Sequence, residues 1–505
     1  MLFRRLLCAG GLLAVLSTPA AFATNGYFAH GYSNTQRAMA GAATAMAEDA
    51  MVVSVNPANG VWVGNAIDGG LSLFAPIRDY TATARGEGAG AGILTIAPID
   101  GKRSQRQRFY IPGIGYNALI DERSAWGIAM YGNGGLNTVY AGNSARFGDQ
   151  LPGFQTECDG TFGGGNPLDG ASDFAGFCGG GDPNASVDLI QLFIVPHYSR
   201  KFGERFSIGI APIFAAQQFE SKGLKAFAQF SNAPDRVSDN GQDFSFGGGG
   251  RVGVFGLPFD WLAVGASYQS RIYMQRFEKY EGLFAERGDF DIPSNWNVGL
   301  AFQLPGKQRL AIDYQRMNFS EIASVGRPLD PNRFVNECAL PRLLAAQTGG
   351  LLGDGGARPA CLGSGQGPGF GWRDVEVVKF GYQAVLGSFV FRAGYSRGRQ
   401  PIPSSEVLFN ILAPAVPEEH YTAGLSFRVS PRLSLDLAVM HARHNPVSGK
   451  NPLSNVDANL LTLLGSGVLP GAVDTSESFG SDAQDQDLIL DMRQYELTVG
   501  FSYRF

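Results

Sequence analysis

Histidines, cysteines and glycine runs are the residues of this 505-residue chain whose spacing could do chemistry, and none of the spacings completes a catalytic site. The five histidines are His30, His197, His420, His441 and His444. His441 and His444 stand three apart on an alternating segment, so they project to opposite faces and cannot share a metal ion. No serine, histidine and acid fall into a recognisable trio. Gly247 to Gly250 and the Gly132-Asn133-Gly134-Gly135 run look like phosphate loops, but neither carries a Lys-Ser/Thr pair or leads into a helix. The reading is therefore a non-enzyme with no cofactor and no metal.

One of five cysteines, Cys8, lies in the first stretch of the chain; Cys158, Cys178, Cys338 and Cys361 remain. They form two close pairs in Gly-rich segments, without Cys-x-x-Cys spacing or a nearby histidine. Disulfides that staple loops in an oxidising compartment are expected rather than a metal site, with three pairings open.

The compartment follows from the N-terminus. Arg4 and Arg5 precede an apolar run from Leu6 to Leu16, and Ala21-Phe22-Ala23 has the form of a signal-peptidase site. Residues 1–23 read as a secretory signal. No later apolar run is long enough for a transmembrane helix. A net charge of −5 points to no nucleic acid. Mean hydropathy near zero, −0.04, with 69 glycines, describes a helix-poor chain with one polar and one apolar face.

Those faces come from strands. Tyr495, Leu497, Val499, Phe501, Tyr503 and Phe505 alternate with Glu496, Thr498, Gly500, Ser502 and Arg504. Period-two patterning recurs over 421–430 and 433–440, and less regularly at 206–214, 262–269 and 310–315. Segments of about ten residues with aromatic ends, alternating short and long connections, and a terminal aromatic predict a transmembrane antiparallel β-barrel of about 14 strands. Strands are expected near 66–75, 106–118, 124–140, 186–200, 205–219, 244–256, 261–277, 294–304, 308–319, 373–385, 388–398, 419–430, 432–444 and 492–505. The strand ending at Phe505 has the form read by the outer-membrane assembly machinery. A bacterial outer-membrane location, a monomer and surrounding outer-membrane lipid complete the expectation.

Residues 24–62 do not fit that pattern. They are rich in Ala and Met, and Pro57 cannot donate to a strand ladder. Short helices and a turn, ahead of a barrel over 63–505, suit them better than a barrel strand. "TNGYFAHGYSNTQRAMAGAATAMAEDAMVVSVNPANG" (24–60), "MYGNGGLNTVY" (130–140) and "FNILAPAVPEEHYTAGLSF" (409–427) resemble segments of the FadL/TodX family of outer-membrane transporters of hydrophobic compounds. The resemblance implies a helical hatch (plug) in a fourteen-stranded lumen, and a third strand kinked to leave an opening. It also implies ligand capture by extracellular loops, passage through the lumen and lateral release into the membrane.

Candidate residues follow. Asn56, Pro57 and Ala58 are expected to act in hatch gating, and Gly132, Gly134 and Gly135 to kink the third strand. Leu343 and Leu344, with Leu460, Leu461, Leu463 and Leu464, form apolar runs in two outer loops and are candidates for ligand capture, or for a loop lid. Asp313, Arg392, Arg428, Asp436, Glu496 and Arg504 should face the lumen, and Arg392 and Arg428 are candidate partners for a carboxylate head group. The expected ligand is a long-chain fatty acid or, alternatively, an aromatic hydrocarbon. A structural or adhesive barrel whose loops bind a partner is the rival reading.

Overall fold

Alternation in the sequence becomes a wall with two unlike faces. The structure, a computed structural model, describes residues 25–83, 99–141, 184–339, 341–342, 356–454 and 486–505. The leader, Cys158, Cys178, Leu343, Leu344, Leu460, Leu461, Leu463 and Leu464 lie outside these residues.

Fourteen antiparallel strands close into a barrel. They are β1 (Ala66–Ala82), β2 (Phe109–Asp121), β3 (Ser124–Tyr140), β4 (Ala185–Phe202), β5 (Phe206–Lys222), β6 (Asp243–Phe259) and β7 (Leu262–Gln269). Then come β8 (Asn295–Leu304), β9 (Gln308–Met317), β10 (Val375–Leu386), β11 (Phe389–Gly398), β12 (Glu419–Arg428), β13 (Leu433–Ala442) and β14 (Asp487–Arg504). Each pairs with its sequence neighbour, and β14 returns to β1 in a ladder running from Ala66↔Arg504 to Ala82↔Leu488. Ile99–Arg103, Tyr273–Met274 and Val447–Lys450 add short ladders at the long-loop end.

The outer face carries the apolar members of each alternating pair. On β14, Tyr495, Leu497, Val499 and Phe501 point outward while Gln494, Glu496 and Thr498 are buried inside. Phe380, Phe391, Phe427 and Leu437 continue the belt on neighbouring strands. Such a continuous exposed apolar belt is stable only against hydrocarbon, and closure leaves no free strand edge inside it. The protein is an outer-membrane barrel. Short turns lie at one end, which is the periplasmic one by barrel convention, and long connections at the other.

Residues 25–63 fill the lumen as a plug of short helical pieces. Helix α1 (Asn34–Ala38) starts where the Ser33 hydroxyl accepts from the Gln36 amide, 3.1 Å away. Turns over Ala50–Ser54 and Pro57–Asn59 and a helical turn over Gly60–Val63 follow.

Candidate functional site

Charged and polar groups fasten the plug to the wall. Asp313 on β9 accepts from the Ala43 amide (2.8 Å), the Thr44 amide (2.8 Å) and the Thr44 hydroxyl (2.7 Å). Arg37 pairs with Glu496 of β14 at 2.9 Å, both side chains buried. Thr422 of β12 accepts from the Ala40 amide and donates to the Ala38 carbonyl. Buried charges are tolerated only when paired or multiply hydrogen-bonded, and these are.

Asn56, Pro57 and Ala58 are fully buried within this attachment. The Asn56 amide donates to the carbonyls of Thr44 and Val254, both at 3.0 Å, and its oxygen accepts from the Ala58 amide at 3.1 Å. The wall opposite them is glycine: a Cβ on Gly209 would lie 2.2 Å from the Pro57 carbonyl carbon, and one on Gly253 would lie 2.0 Å from the Asn56 side-chain oxygen. The triplet is thus a wedge packed closely against wall backbone.

The wall opens between β2 and β3. The β2–β3 ladder runs from Asp121↔Ser124 only as far as Gly113↔Tyr131. Beyond that point β2 continues on β1 alone, and β3 continues on β4 with a register shift between Gly132 and Gly134. Two strands that should share a ladder therefore diverge over the outer half of the membrane span. An unpaired ladder edge in hydrocarbon is costly, so it must find other partners. The plug supplies them: the Ala29 amide donates to the Asn133 carbonyl and the Gly135 amide donates to the Tyr27 carbonyl, both at 3.2 Å. Gly134 permits the approach, since a Cβ there would lie 2.0 Å from the Tyr27 oxygen. Behind the gap, Phe74, Phe109, Ile111, Ile190 and Met440 form a buried apolar cluster on which Ala29 packs.

Above the gap the long connections line a partly open cavity of about 70 Å³, several times the ~10–15 Å³ that one water needs. Phe219 and Val187 contribute from strand ends, and Leu224, Phe227, Phe284, Leu362, Phe370, Phe409 and Leu412 from four different connections. Ser324 supplies the one side-chain hydroxyl in the lining, and no charged side chain lines it among the described residues. Cavity and gap adjoin. Val187 stands opposite Thr138 of β3, and the Thr138 hydroxyl donates to the Leu412 carbonyl at 2.8 Å. A run of rings links them as well: Phe284 touches Phe290 (4.8 Å between ring centres), and Phe290 touches Tyr27 of the plug (6.3 Å).

The sequence candidates scatter. Gly132, Gly134 and Gly135 lie at the register shift, and the wedge triplet lies deeper in the plug. Arg392 does not reach the cavity: its guanidinium donates to Gln383 and Ser426 and stands 4.0 Å from Glu48, near the short-turn end. Arg428 is exposed at the short turn leading to β13. Alternation reads the side a residue faces and not its depth, and both arginines are at the wrong depth for a head group in the cavity. Cys338 and Cys361 form a disulfide that holds Leu362 at the cavity wall. Sequence reasoning passed over the lining phenylalanines, whose only signal is their density in "LKAFAQF" (224–230) and "FAERGDF" (284–290).

Solved structures with this fold include the Pseudomonas putida toluene transporter TodX, 16% identical with a TM-score of 0.57, over 95% of this chain and 100% of that one. The Ralstonia pickettii toluene transporter TbuX is 14% identical with a TM-score of 0.54, over 94% and 99%. A Pseudomonas aeruginosa FadL homologue is 14% identical with a TM-score of 0.56, over 95% and 100%. No protein-family model and no curated protein sequence matches the chain. The likeness at these identities is one of fold.

Proposed function

We propose that this chain, with the fold of the FadL/TodX-type channels, carries hydrophobic compounds across the outer membrane and releases them sideways through the β2–β3 gap. The observation that carries the reading is the wall ladder that stops at Gly113↔Tyr131 and is completed by plug residues 27–29. A structural barrel has no use for an opening at membrane depth, and an aqueous porin has none for a plug bonded across its lumen.

The steps follow from solvent preference. The outer cavity removes apolar surface from water, worth about 0.8 kcal/mol per methylene. Ligand then moves past Phe284 and Phe290 toward Tyr27, and withdrawal of residues 27–29 from β3 opens the gap. The apolar cluster of Phe109 and Ile111, on which Ala29 of the plug packs, lines the way out. No energy input is needed, since the ligand follows its own gradient.

The cavity favours uncharged hydrocarbons, such as aromatic rings, over long-chain fatty acids. Burying a carboxylate without a cation is strongly unfavourable, and the described lining holds none. Uptake of radiolabelled toluene and oleate by cells with and without the protein tests both points. Faster toluene entry with the protein is expected, oleate entry being less affected. Equal entry of both compounds in the two strains would leave the adhesive reading, to be tested by cell binding.

A further inference from the structure

The outward face of β11–β14 carries a feature that uptake does not use. Register sets Tyr395 beside Tyr421, Tyr421 beside His441, and His441 beside Tyr495. Ring centres are 5.2 Å apart in the Tyr395–Tyr421 pair and 4.9 Å apart in the His441–Tyr495 pair. Toward the short turns, the next outward positions are apolar: Ala393, Ala423, Val439 and Leu497, then Phe391, Leu425, Leu437 and Val499. Toward the long loops, the outward residues are Arg397, Glu419, Arg443 and Arg493. A row of aromatic rings marks the boundary between hydrocarbon and head groups. The arginines therefore begin on the head-group side of the outer leaflet.

Their charge is not balanced by the protein. Glu419 is shared between Arg443 (3.3 Å) and Arg397 (3.9 Å), and also accepts from the Tyr395 hydroxyl (3.0 Å). The side chains of Arg397 and Arg443 nonetheless stay 68% and 70% exposed. Arg493 ion-pairs with none of the described carboxylates, and the neighbouring Asp491 is taken by His444 at 2.5 Å. Elsewhere on the rim the pattern differs. Arg316 meets both Asp374 (2.9 Å) and Glu376 (3.1 Å), and Arg271 meets both Asp291 (2.6 Å) and Asp289 (3.5 Å).

We propose that this face is a binding site for a phosphorylated lipid of the outer leaflet, its phosphate on Arg443 and Arg493 and its acyl chains along the apolar rows below. The charges are complementary: three guanidinium groups face two carboxylates, Glu419 and the His444-bonded Asp491, and so remain in excess. All three cations are arginine, whose planar fork matches phosphate oxygens two at a time. Exposed ion pairs such as Arg443–Glu419 are weak and readily exchanged for a doubly charged oxyanion. The site stands apart from the cavity and the gap, so a lipid there holds the barrel at a fixed depth and leaves the path of a carried compound clear.

Retention of synthetic diphosphoryl lipid A by the purified full-length chain in detergent micelles, read by native mass spectrometry, tests the proposal. The Arg443→Gln/Arg493→Gln variant should lose at least about tenfold in retention, two charge-assisted contacts being removed. Arg316→Gln, on a face whose arginine is already matched, should keep wild-type retention. Heat-modifiable migration of each variant verifies a closed barrel. Fully dephosphorylated lipid A should bind wild type and the double variant equally weakly. Inorganic phosphate at the same concentration should not displace the lipid. Equal retention of the phosphorylated and dephosphorylated lipids by wild type would overturn the site. So would wild-type retention by the folded double variant, or displacement by free phosphate.

Discussion

Phe28 of the plug pairs antiparallel with Gly134 of β3, at the height where β3 has parted from β2. The two hydrogen bonds that flank this bridge, Ala29 to Asn133 and Gly135 to Tyr27, are what the proposed exit must break. Gly134→Val should break them without a ligand, because its Cβ would collide with the Tyr27 carbonyl. At about 1 kcal/mol for each bond, the open fraction should rise about thirtyfold. Sensitivity of cells to a hydrophobic antibiotic measures this, and unchanged sensitivity in a folded variant would remove residues 27–29 from the gate.

The wedge gives a different expectation. Asn56→Ala removes the side-chain bonds to the Thr44 and Val254 carbonyls and the Ala58 amide, costing the plug about 3 kcal/mol. The barrel, held by its own ladders, should keep its heat-modifiable migration. Polar antibiotics should enter faster, as they should when residues 24–58 are deleted. If conductance in planar bilayers stays at the wild-type level, Asn56 does not hold the plug in place.

Cys338 and Cys361, 23 positions apart, tie two parts of one outer connection and fix Leu362 at the cavity. Replacing both with serine releases a constraint worth about 3 kcal/mol in the chain-entropy model. The effect should fall on the loop and spare the wall. Affinity for toluene, read by a thermal-shift titration, should drop several-fold while the apo barrel melts as before.

Acidity should act on the same loops through Asp289. Burial, and then the charge of Asp291, push its carboxyl up to about 6, against the pull of Arg271. The native connection therefore holds the proton to a higher pH than an unfolded aspartate, which releases it near about 4. Its stability is full below that value and declines as pH rises through about 6, the ionised form being the one that burial opposes. Proteolysis of the 270–294 connection should thus be slower at pH 5 than at pH 7.5. Asp289→Asn should flatten the difference, and an unaltered profile would assign the pH effect to another group.

The strands were legible because lipid-facing apolar residues alternate with inward residues that are mostly polar or small, and that alternation survives in the sequence of β12, β13 and β14. All fourteen predicted segments correspond to strands. Residues 25–63 were legible as the one stretch lacking the period, with Pro57 as its clearest break. The cavity was not legible. Its phenylalanines, Phe227, Phe284, Phe370 and Phe409, come from separate connections that only closure of the barrel brings together, and none belongs to a periodic segment. Arg392 shows a second limit. Its inward side was correctly implied, yet its partner, Glu48, lies more than three hundred positions away in the plug, beyond any local pattern.

The ladder joining β1 to β14 also couples closure of the wall to the plug. Gly70 and Gly500 face each other in that ladder, and the Asn34 side chain of the plug lies against both. Arg504, next to the chain end, donates to the backbone at Val63 and Glu48. β1 and β14 thus meet over the plug seated beneath them. These contacts exist only when the seam is closed and the plug is seated, so closure of the wall and the fit of the plug depend on each other. A plug that fits badly against Gly70 and Gly500 would then be felt as a looser β1–β14 seam as well as a more open lumen.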